Sequence, residues 1–175
     1  MKNYKKINVY SQNDFDEKMY RLGLYSYNVN EVKDDKAFIS IIGTEECRKY
    51  YLEEDTIHWF SNCTEDNVLN LEFDDVNEDI VIWKGHTFYG ITDEQAEQIV
   101  DFIEKHKGKD FYIHCRAGKS RSIAVATYIL DMYGEEYGYN EKESCRKDNP
   151  CKTPNINVLT KLKRTYYKKF NIYES

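Results

Sequence analysis

The segment 111–134 constrains the fold of this chain more than any other part of the sequence. Residues 111–114 (FYIH) predict a buried strand, and residues 122–133 are apolar on most faces, as in a buried helix that ends at Gly134. The loop between them contains Gly118. A strand that enters such a loop and leaves it as a helix turns successive backbone N–H groups inward at the helix N-terminus. The sequence therefore predicts a loop that binds a phosphate dianion.

Side chains of this loop supply a nucleophile and a cation. Cys115 is followed at the sixth position by Arg121, whose planar guanidinium can bind two phosphate oxygens. A free thiol has a pKa of about 8.5, and helix N-termini and nearby cations lower it to about 3.5–7.5. We therefore expect Cys115 to be a thiolate that attacks phosphorus and forms a cysteinyl-phosphate. Ser122 is placed to donate a hydrogen bond to the sulfur when this intermediate is hydrolysed, and His114 to hold the loop through its ring N–H groups.

Two other interpretations of the loop are weaker. Gly118-Lys119-Ser120 matches the end of a nucleotide-binding P-loop, but the first glycine of that motif falls on Ile113, so the match fails. Cys115 could also be an inert buried thiol. The basic residues on both sides of it argue against this interpretation, because they favour a reactive thiolate.

A paired acid follows another predicted strand. Residues 68–73 alternate between apolar and polar side chains and run directly into Asp74 and Asp75. A leaving alkoxide or phenoxide needs a proton, which a carboxylic acid can supply. Paired acids after a strand are also typical of a turn, and the cysteine loop shifts the balance toward a catalytic acid. The pattern alone leaves both aspartates as candidates.

The remaining elements are predicted from periodicity and capping residues. The segment 80–89 could be a hairpin that turns at Lys84-Gly85 or a lid over a cleft, and both possibilities stay open. The last helix is expected to bury Val158, Leu159, Leu162 and Tyr166 while Lys161, Lys163, Arg164, Lys168 and Lys169 face water. Strands are predicted at 7–10, 37–42 (central in the sheet) and 57–60, and helices at about 11–21, 92–106 (with a capping box) and 155–170.

Composition limits the class of protein. A chain of 175 residues, 41% of them apolar and without linkers or repeats, is expected to form one domain. A net charge of −6 disfavours a nucleic-acid partner. No apolar run is long enough to span a membrane and no signal peptide is recognisable, so we expect a soluble, cytoplasmic monomer. The five cysteines form no C-x-x-C pair; Cys145 and Cys151 could pair, but free thiols are favoured.

The sequence HCRAGKSRS at 114–122 closely resembles the active-site loop of the dual-specificity branch of the protein tyrosine phosphatase superfamily. Three further segments occur in the family's order. Residues 71–76 are similar to its general-acid segment, 92–106 to the following helix, and Pro154-Asn155 to the step before its last helix. The resemblance spans roughly 37–170, and the cysteine loop is its most specific part.

This resemblance implies an α/β domain over residues 1–175, with a central mixed, largely parallel sheet of four to five strands flanked by helices. It implies phosphomonoester hydrolysis without a metal or an organic cofactor. It favours Asp75 over Asp74 as the general acid, because the family's acid usually precedes an aliphatic residue, and it gives Asn155 the role of bracing the loop. Phosphate would be bound by Arg116, Ala117, Gly118, Lys119, Ser120 and Arg121.

The resemblance leaves the function open between three possibilities. The loop pattern favours a phosphatase for phosphotyrosine and other phosphoamino acids in proteins. Arg116 and Lys119 make the loop unusually basic, which is similar to superfamily members that act on inositol phosphates, phosphoinositides or other small polyanions. A phosphate-binding module without catalysis is a further alternative.

Asp75 also lies farther before the cysteine than is usual, with the unassigned segment 77–91 between them.

Overall fold

The computed structural model describes residues 4–25, 27–28, 35–140 and 153–172. The helices and strands alternate along most of this length, as expected for an α/β protein. In chain order they are β1 (Lys5–Tyr10), α1 (Gln12–Arg21), β2 (Lys36–Ile42), α2 (Glu45–Tyr50), β3 (Val68–Glu72), β4 (Ile80–Trp83), β5 (His86–Tyr89), α3 (Asp93–Lys105), β6 (Asp110–His114), α4 (Arg121–Tyr133), β7 (Tyr137–Tyr139) and α5 (Ile156–Lys169).

The main sheet has five strands in the order β3-β2-β6-β1-β7, and neighbouring strands pair in parallel. This confirms the predicted α/β fold with a central, largely parallel sheet flanked by helices. The antiparallel pairing occurs in a separate two-stranded sheet, β4-β5. Strand β2, predicted to be central, is an interior strand, but β6 occupies the middle. The carboxyl ends of β3 and β6 therefore lie at the same edge of the sheet, where parallel α/β sheets commonly place their sites.

The two faces of the sheet pack against different helices. On β6, Phe111 and Ile113 join the larger core with α3, α4 and α5, whereas Tyr112 packs on the opposite face with α1. Such alternation follows from the two-residue period of a strand. Helix α4 is apolar on most sides because it is buried within the larger core. Its N-terminus is thereby held against the end of β6.

Side-chain caps begin the predicted helices at the expected residues. Thr92 and Gln95 form the predicted capping box of α3, and Ser11 caps α1. Asn155 caps α5 by accepting from the backbone N–H of Val158. The boundaries of these three helices agree with the predictions to within a residue or two.

Lys161 corrects the predicted solvent face of α5. It is buried, with only 8% of its surface exposed, and its Nζ donates to Ile91 O over 2.9 Å and pairs with Asp79 over 2.7 Å. Helix α5 packs closely on α3, so the apolar stem of this lysine is covered while its ammonium group reaches a backbone oxygen and a carboxylate. Helical periodicity carries no information on partners that lie far away in sequence.

The strand predicted at 57–60 is wrong. Residues 57–58 have no regular secondary structure and 59–60 form a turn, with Phe60 fully buried and Ile57 66% exposed. Phe60 packs on Phe38, and Trp59 Nε1 donates to Leu24 O over 2.8 Å. Side-chain contacts, rather than a hydrogen-bonded ladder, attach this segment to the sheet. A short apolar run is compatible with either outcome.

Several features were not anticipated by the pattern of the sequence. Helix α2 and strand β7 are both short, with six and three residues.

Within the described residues, no helix combines the length and apolarity needed to cross a bilayer. The considered pairing of Cys145 with Cys151 lies outside the described residues.

Candidate active site

The loop after β6 is packed tightly against the junction of β1 and α1. Gly118 has a φ of +66°, and a Cβ at this position would lie 2.6 Å from the backbone of both Tyr10 and Ser11. The loop is also attached by the backbone N–H of Gln12, which donates to Arg116 O over 3.1 Å. Glycine is therefore required at position 118 both by its backbone conformation and by the space available.

Cys115 lies at the base of this loop with 2% of its surface exposed. Its Sγ is 3.1 Å from Ser122 Oγ. Burial raises the pKa of the thiol, but the charge of Arg121 and hydrogen bonds from Ser122 and the Gly118 backbone together outweigh burial, so the pKa is lowered. The environment of Cys115 thus favours the thiolate, which is the nucleophilic form.

Arg121 offers unused hydrogen-bonding capacity beside this sulfur. It is 5% exposed, and its Nη1 donates to Phe73 O over 2.6 Å, which fixes the guanidinium on the end of β3. Its Nε is buried and has no hydrogen-bond partner among the described residues. The N-cap of α4, Ser120, makes no side-chain capping bond. A buried donor without a partner is costly, so these groups indicate a position for an anion.

Asp75 is exposed and hydrogen-bonded to the same loop. Its Oδ1 accepts from Ser120 Oγ over 2.7 Å and from Asn155 Nδ2 over 2.8 Å. Asn155 also donates through its backbone N–H to Ser120 O over 3.2 Å. Asn155 therefore joins the loop, the start of α5 and the carboxylate. Because both bonds end on Oδ1, Oδ2 is the oxygen available to carry a proton.

Asp74 has a different environment. It is buried, its Oδ1 accepts from Thr44 N over 2.8 Å, and its Oδ2 accepts from Thr44 Oγ1 over 2.9 Å and Tyr89 N over 2.8 Å. Both oxygens are thus occupied by donors that stabilise a carboxylate. Asp74 connects the end of β2 to the end of β5, which is the arrangement of a structural residue.

One cavity of about 410 Å³ brings most of the predicted site residues together. The loop contributes Cys115 and Arg121, and the strand end after β3 contributes Asp75. The remaining predicted residues that line it are Asp74, Arg116, Ala117 and Ser120. His114 and Ser122 are buried behind the loop, and Lys119 is exposed and is not among the lining residues.

The segment 80–89, which the sequence left open, is a hairpin that also lines the cavity. It turns at Lys84 and Gly85, both with positive φ, as two-residue hairpin turns require. Alternation places Val81, Trp83 and Phe88 along the cavity. The hairpin is held in place by aromatic contacts of α2, because the Tyr50 ring packs edge-on against those of Phe88 (5.4 Å) and His86 (4.8 Å).

Arg116 is already paired in this structure. Its Nη2 lies 2.6 Å from Glu53 Oε1, and its guanidinium lies 4.7 Å from the centre of the Tyr51 ring. The positive charge that made the loop look unusually basic is therefore partly offset by a neighbouring carboxylate. Arg116 still lines the cavity, where it can reach a bound ligand from a stacked position.

The lining residues from α2 and the hairpin were not identified from the sequence. Tyr50, Tyr51 and Cys47 lie in or just after a helix too short for its period to be recognised. The only sequence signal for this part of the cavity was Lys84-Gly85, which is compatible with a two-residue turn. Asp79, which could have served as another acid, is paired with Lys161 and does not line the cavity.

Comparisons with known proteins find similarity at the level of solved structures. No family model matches the chain, and no curated protein matches it. A crystal structure of PTPMT1 aligns over 95% of this chain and 92% of its own, with 17% identity and a TM-score of 0.42. A structure of PTPMT1 in complex with PI(5)P aligns over 94% of each chain, with 13% identity and a TM-score of 0.39. Similarity at this level assigns neither activity nor substrate.

Proposed function

We propose that this protein hydrolyses phosphate monoesters through a covalent cysteinyl-phosphate. The observation that carries the proposal is the pairing of Cys115 with Arg121. A thiol whose pKa is lowered lies beside a buried guanidinium whose Nε has no partner, at a helix N-terminus without a side-chain cap. A tetrahedral oxyanion supplies the acceptors that these donors lack, and it presents its phosphorus to the sulfur.

The first step transfers the phosphoryl group to sulfur. The thiolate of Cys115 attacks phosphorus, so that an S–P bond forms while the P–O bond to the leaving group breaks. Asp75 Oδ2 gives its proton to the departing oxygen, which leaves as an alcohol or phenol. Arg121 and the backbone N–H groups of the loop stabilise the equatorial oxygens throughout.

The second step returns the enzyme to its starting state. The Asp75 carboxylate takes a proton from water as the water oxygen attacks phosphorus, and the S–P bond breaks to release inorganic phosphate. The sulfur leaves as a thiolate, and Ser122 Oγ, 3.1 Å away, donates a hydrogen bond that stabilises it. Protons balance over the cycle, because Asp75 ends protonated as it began.

The lining of the cavity favours a leaving group with an aromatic ring. Trp83, Phe88 and Tyr50 line the same cavity as Cys115 and Arg121. Arg116 and Lys119 are the two charges that suggested a polyanionic substrate. The charge of Arg116 is offset by Glu53, and Lys119 does not line the cavity. These features support phosphotyrosine in proteins as the substrate more than inositol phosphates or phosphoinositides.

Phosphate release from an aryl phosphate by the wild type and Cys115→Ser tests this proposal. We expect the wild type to turn over, and Cys115→Ser to lose roughly four orders of magnitude or more in kcat while still binding substrate. Rapid quench should trap phosphate on Cys115 in the wild type. Full activity of Cys115→Ser would overturn the covalent mechanism, and an inactive wild type would indicate a binding module.

A comparison of substrates tests the preference. We expect kcat/KM for a phosphotyrosine peptide to exceed that for a soluble inositol phosphate by at least tenfold, on the scale of one well-packed aromatic group. The opposite order would favour the polyanion alternative without affecting the covalent mechanism.

A further inference from the structure

A hydrogen-bonded chain of three side chains lies behind the cysteine loop. Ser40 Oγ is 2.6 Å from His114 Nε2 and 2.6 Å from His58 Nδ1. Ser40 and His114 are direct partners in the register of β2 and β6, so the sheet itself fixes their contact. His58 lies in the irregular segment 57–60, whose Phe60 is buried in the smaller core. The chain thus runs from a half-buried histidine to the residue that precedes Cys115.

The inner histidine of this chain is neutral. His114 is fully buried beside the ring of Phe15, with the two ring centres 4.2 Å apart. Burial, together with the nearby His58 and Arg121, lowers the pKa of His114 to about 3. A neutral imidazole carries one N–H, so its other nitrogen must accept.

The ring proton can lie on Nδ1 or on Nε2, and the two positions reverse the direction of the hydrogen bonds. His114 Nε2 is bonded to Ser40 Oγ, and Nδ1 has no hydrogen-bond partner among the described residues. The Cys115 backbone nevertheless favours a proton on the ring, against the effect of burial on the pKa. With the proton on Nδ1, Nε2 accepts from Ser40 O–H. Ser40 then has lone pairs left to accept from His58, whose Nδ1 must carry a proton.

The charged groups near His58 are compatible with donation from its Nδ1 to Ser40. Arg48 and Glu72 are the charged groups that act on it, and they pair with each other over 3.3 Å. Their effects on the imidazole oppose one another, and burial lowers its pKa. His58 can therefore donate from Nδ1 in its neutral or its cationic form, since both forms can carry that proton.

We propose that His58 is a positioning residue that acts through Ser40 to keep the proton of His114 on Nδ1, the ring nitrogen that Ser40 does not contact. This arrangement holds the start of the loop and its inward N–H groups around the sulfur. The inference rests on the proposed function, because it concerns the thiolate that the mechanism uses. His58 touches neither substrate nor sulfur in this role.

The test measures the thiolate directly rather than turnover. The rate of Cys115 alkylation by iodoacetamide, and the ultraviolet absorbance of its thiolate, are followed against pH in His58→Ala, His58→Asn and Ser40→Ala. The control is His106→Ala, which removes another buried histidine that bonds a backbone oxygen, Asp66 O, at 2.6 Å, at the end of α3. Denaturant unfolding of each variant reports the accompanying change in stability.

The expected results separate positioning from packing. His58→Ala and Ser40→Ala should slow alkylation below the thiol pKa by roughly three- to tenfold, the scale of one lost hydrogen bond. His58→Asn, whose amide nitrogen can replace Nδ1 as a donor, should recover most of the rate. His106→Ala should leave it unchanged although it lowers stability. Combining His58→Ala with Ser40→Ala should add little to either alone, since both break one chain.

Two outcomes would overturn the inference. Wild-type alkylation in His58→Ala, with a stability loss like that of His106→Ala, would show that His58 only packs. Equally slow Cys115 alkylation in His58→Asn and His58→Ala would show that the rate does not depend on a hydrogen-bond donor at position 58. Neither outcome depends on phosphatase activity. The proposed function would fail by a different result, full turnover by Cys115→Ser, so the two failures can be told apart.

Discussion

The side-chain amide of Asn155 donates to Asp75 Oδ1 over 2.8 Å, so the residue that caps α5 also orients the proposed general acid. Asn155→Ala should therefore have two effects. Loss of the cap should cost about 1 kcal/mol in the free energy of unfolding. Loss of the bond to Asp75 should lower kcat for alkyl phosphates roughly tenfold.

Thr92→Ala is the matched control, because Thr92 caps α3 by the same kind of bond without contacting the cavity. It should lose similar stability in urea unfolding and keep wild-type kcat. Equal kinetic effects of the two variants would contradict the orienting role of Asn155.

The neighbouring aspartates should separate into a catalytic and a structural residue. Asp75→Asn should lower kcat/KM for an alkyl phosphate by roughly 10²–10⁴-fold, and much less for p-nitrophenyl phosphate, whose leaving group needs no proton. Asp74→Asn should cost about 1–3 kcal/mol of stability, because an amide cannot accept all three bonds that the buried carboxylate receives. Leaving-group dependence in Asp74→Asn but not in Asp75→Asn would reverse the assignment.

The thiols should differ sharply in reactivity near neutral pH. The lowered pKa of Cys115 means that its thiolate fraction, and hence its alkylation rate, rises with pH and levels off below the usual value of about 8.5. Burial, followed by the charge of Asp74, raises the pKa of Cys47 to about 12, and burial also raises that of Cys63. Brief iodoacetamide treatment at about pH 6, read by peptide mass mapping, should therefore label Cys115 ahead of these two.

Removal of the nearby charge tests the cause of that difference. Arg121→Gln should raise the pKa of Cys115, so labelling should slow at about pH 6 and approach the wild-type rate at about pH 9. Cys47 labelled before Cys115 in the wild type would contradict the proposed electrostatics.

The elements that could be predicted from the sequence depend on neighbours along the chain. The strand, loop and helix of residues 111–134 lie in one contiguous segment, so Cys115 and Arg121 were found from local spacing. The cap of α3 is likewise local, since Thr92 and Gln95 are one helical turn apart. Parallel pairing then placed the end of β3 beside this loop, as strand order in α/β sheets generally does.

The features that could not be predicted depend on contacts between distant residues. We assign Asp74 a structural role because Thr44 and Tyr89 donate to it, and neither is near it in sequence. Arg116 is offset by Glu53, 63 residues away. Lys161 is buried because its ammonium group has acceptors in Ile91 and Asp79, both far from it in sequence. Residue type and spacing carry no information on such partners.

The hairpin offers a comparison of its two faces. Trp83 lies on the face that lines the cavity, whereas Ile82 lies on the opposite face and is 74% exposed. If Trp83 packs against the ring of the leaving group, Trp83→Ala should raise KM for a phosphotyrosine peptide roughly three- to tenfold, the scale of one aromatic contact. The same substitution should leave the kinetics of a phosphoserine peptide nearly unchanged, because its short side chain does not reach the hairpin. Ile82→Ala should alter neither substrate, and equal effects of Trp83→Ala on both would show that the hairpin closes the cavity without selecting the leaving group.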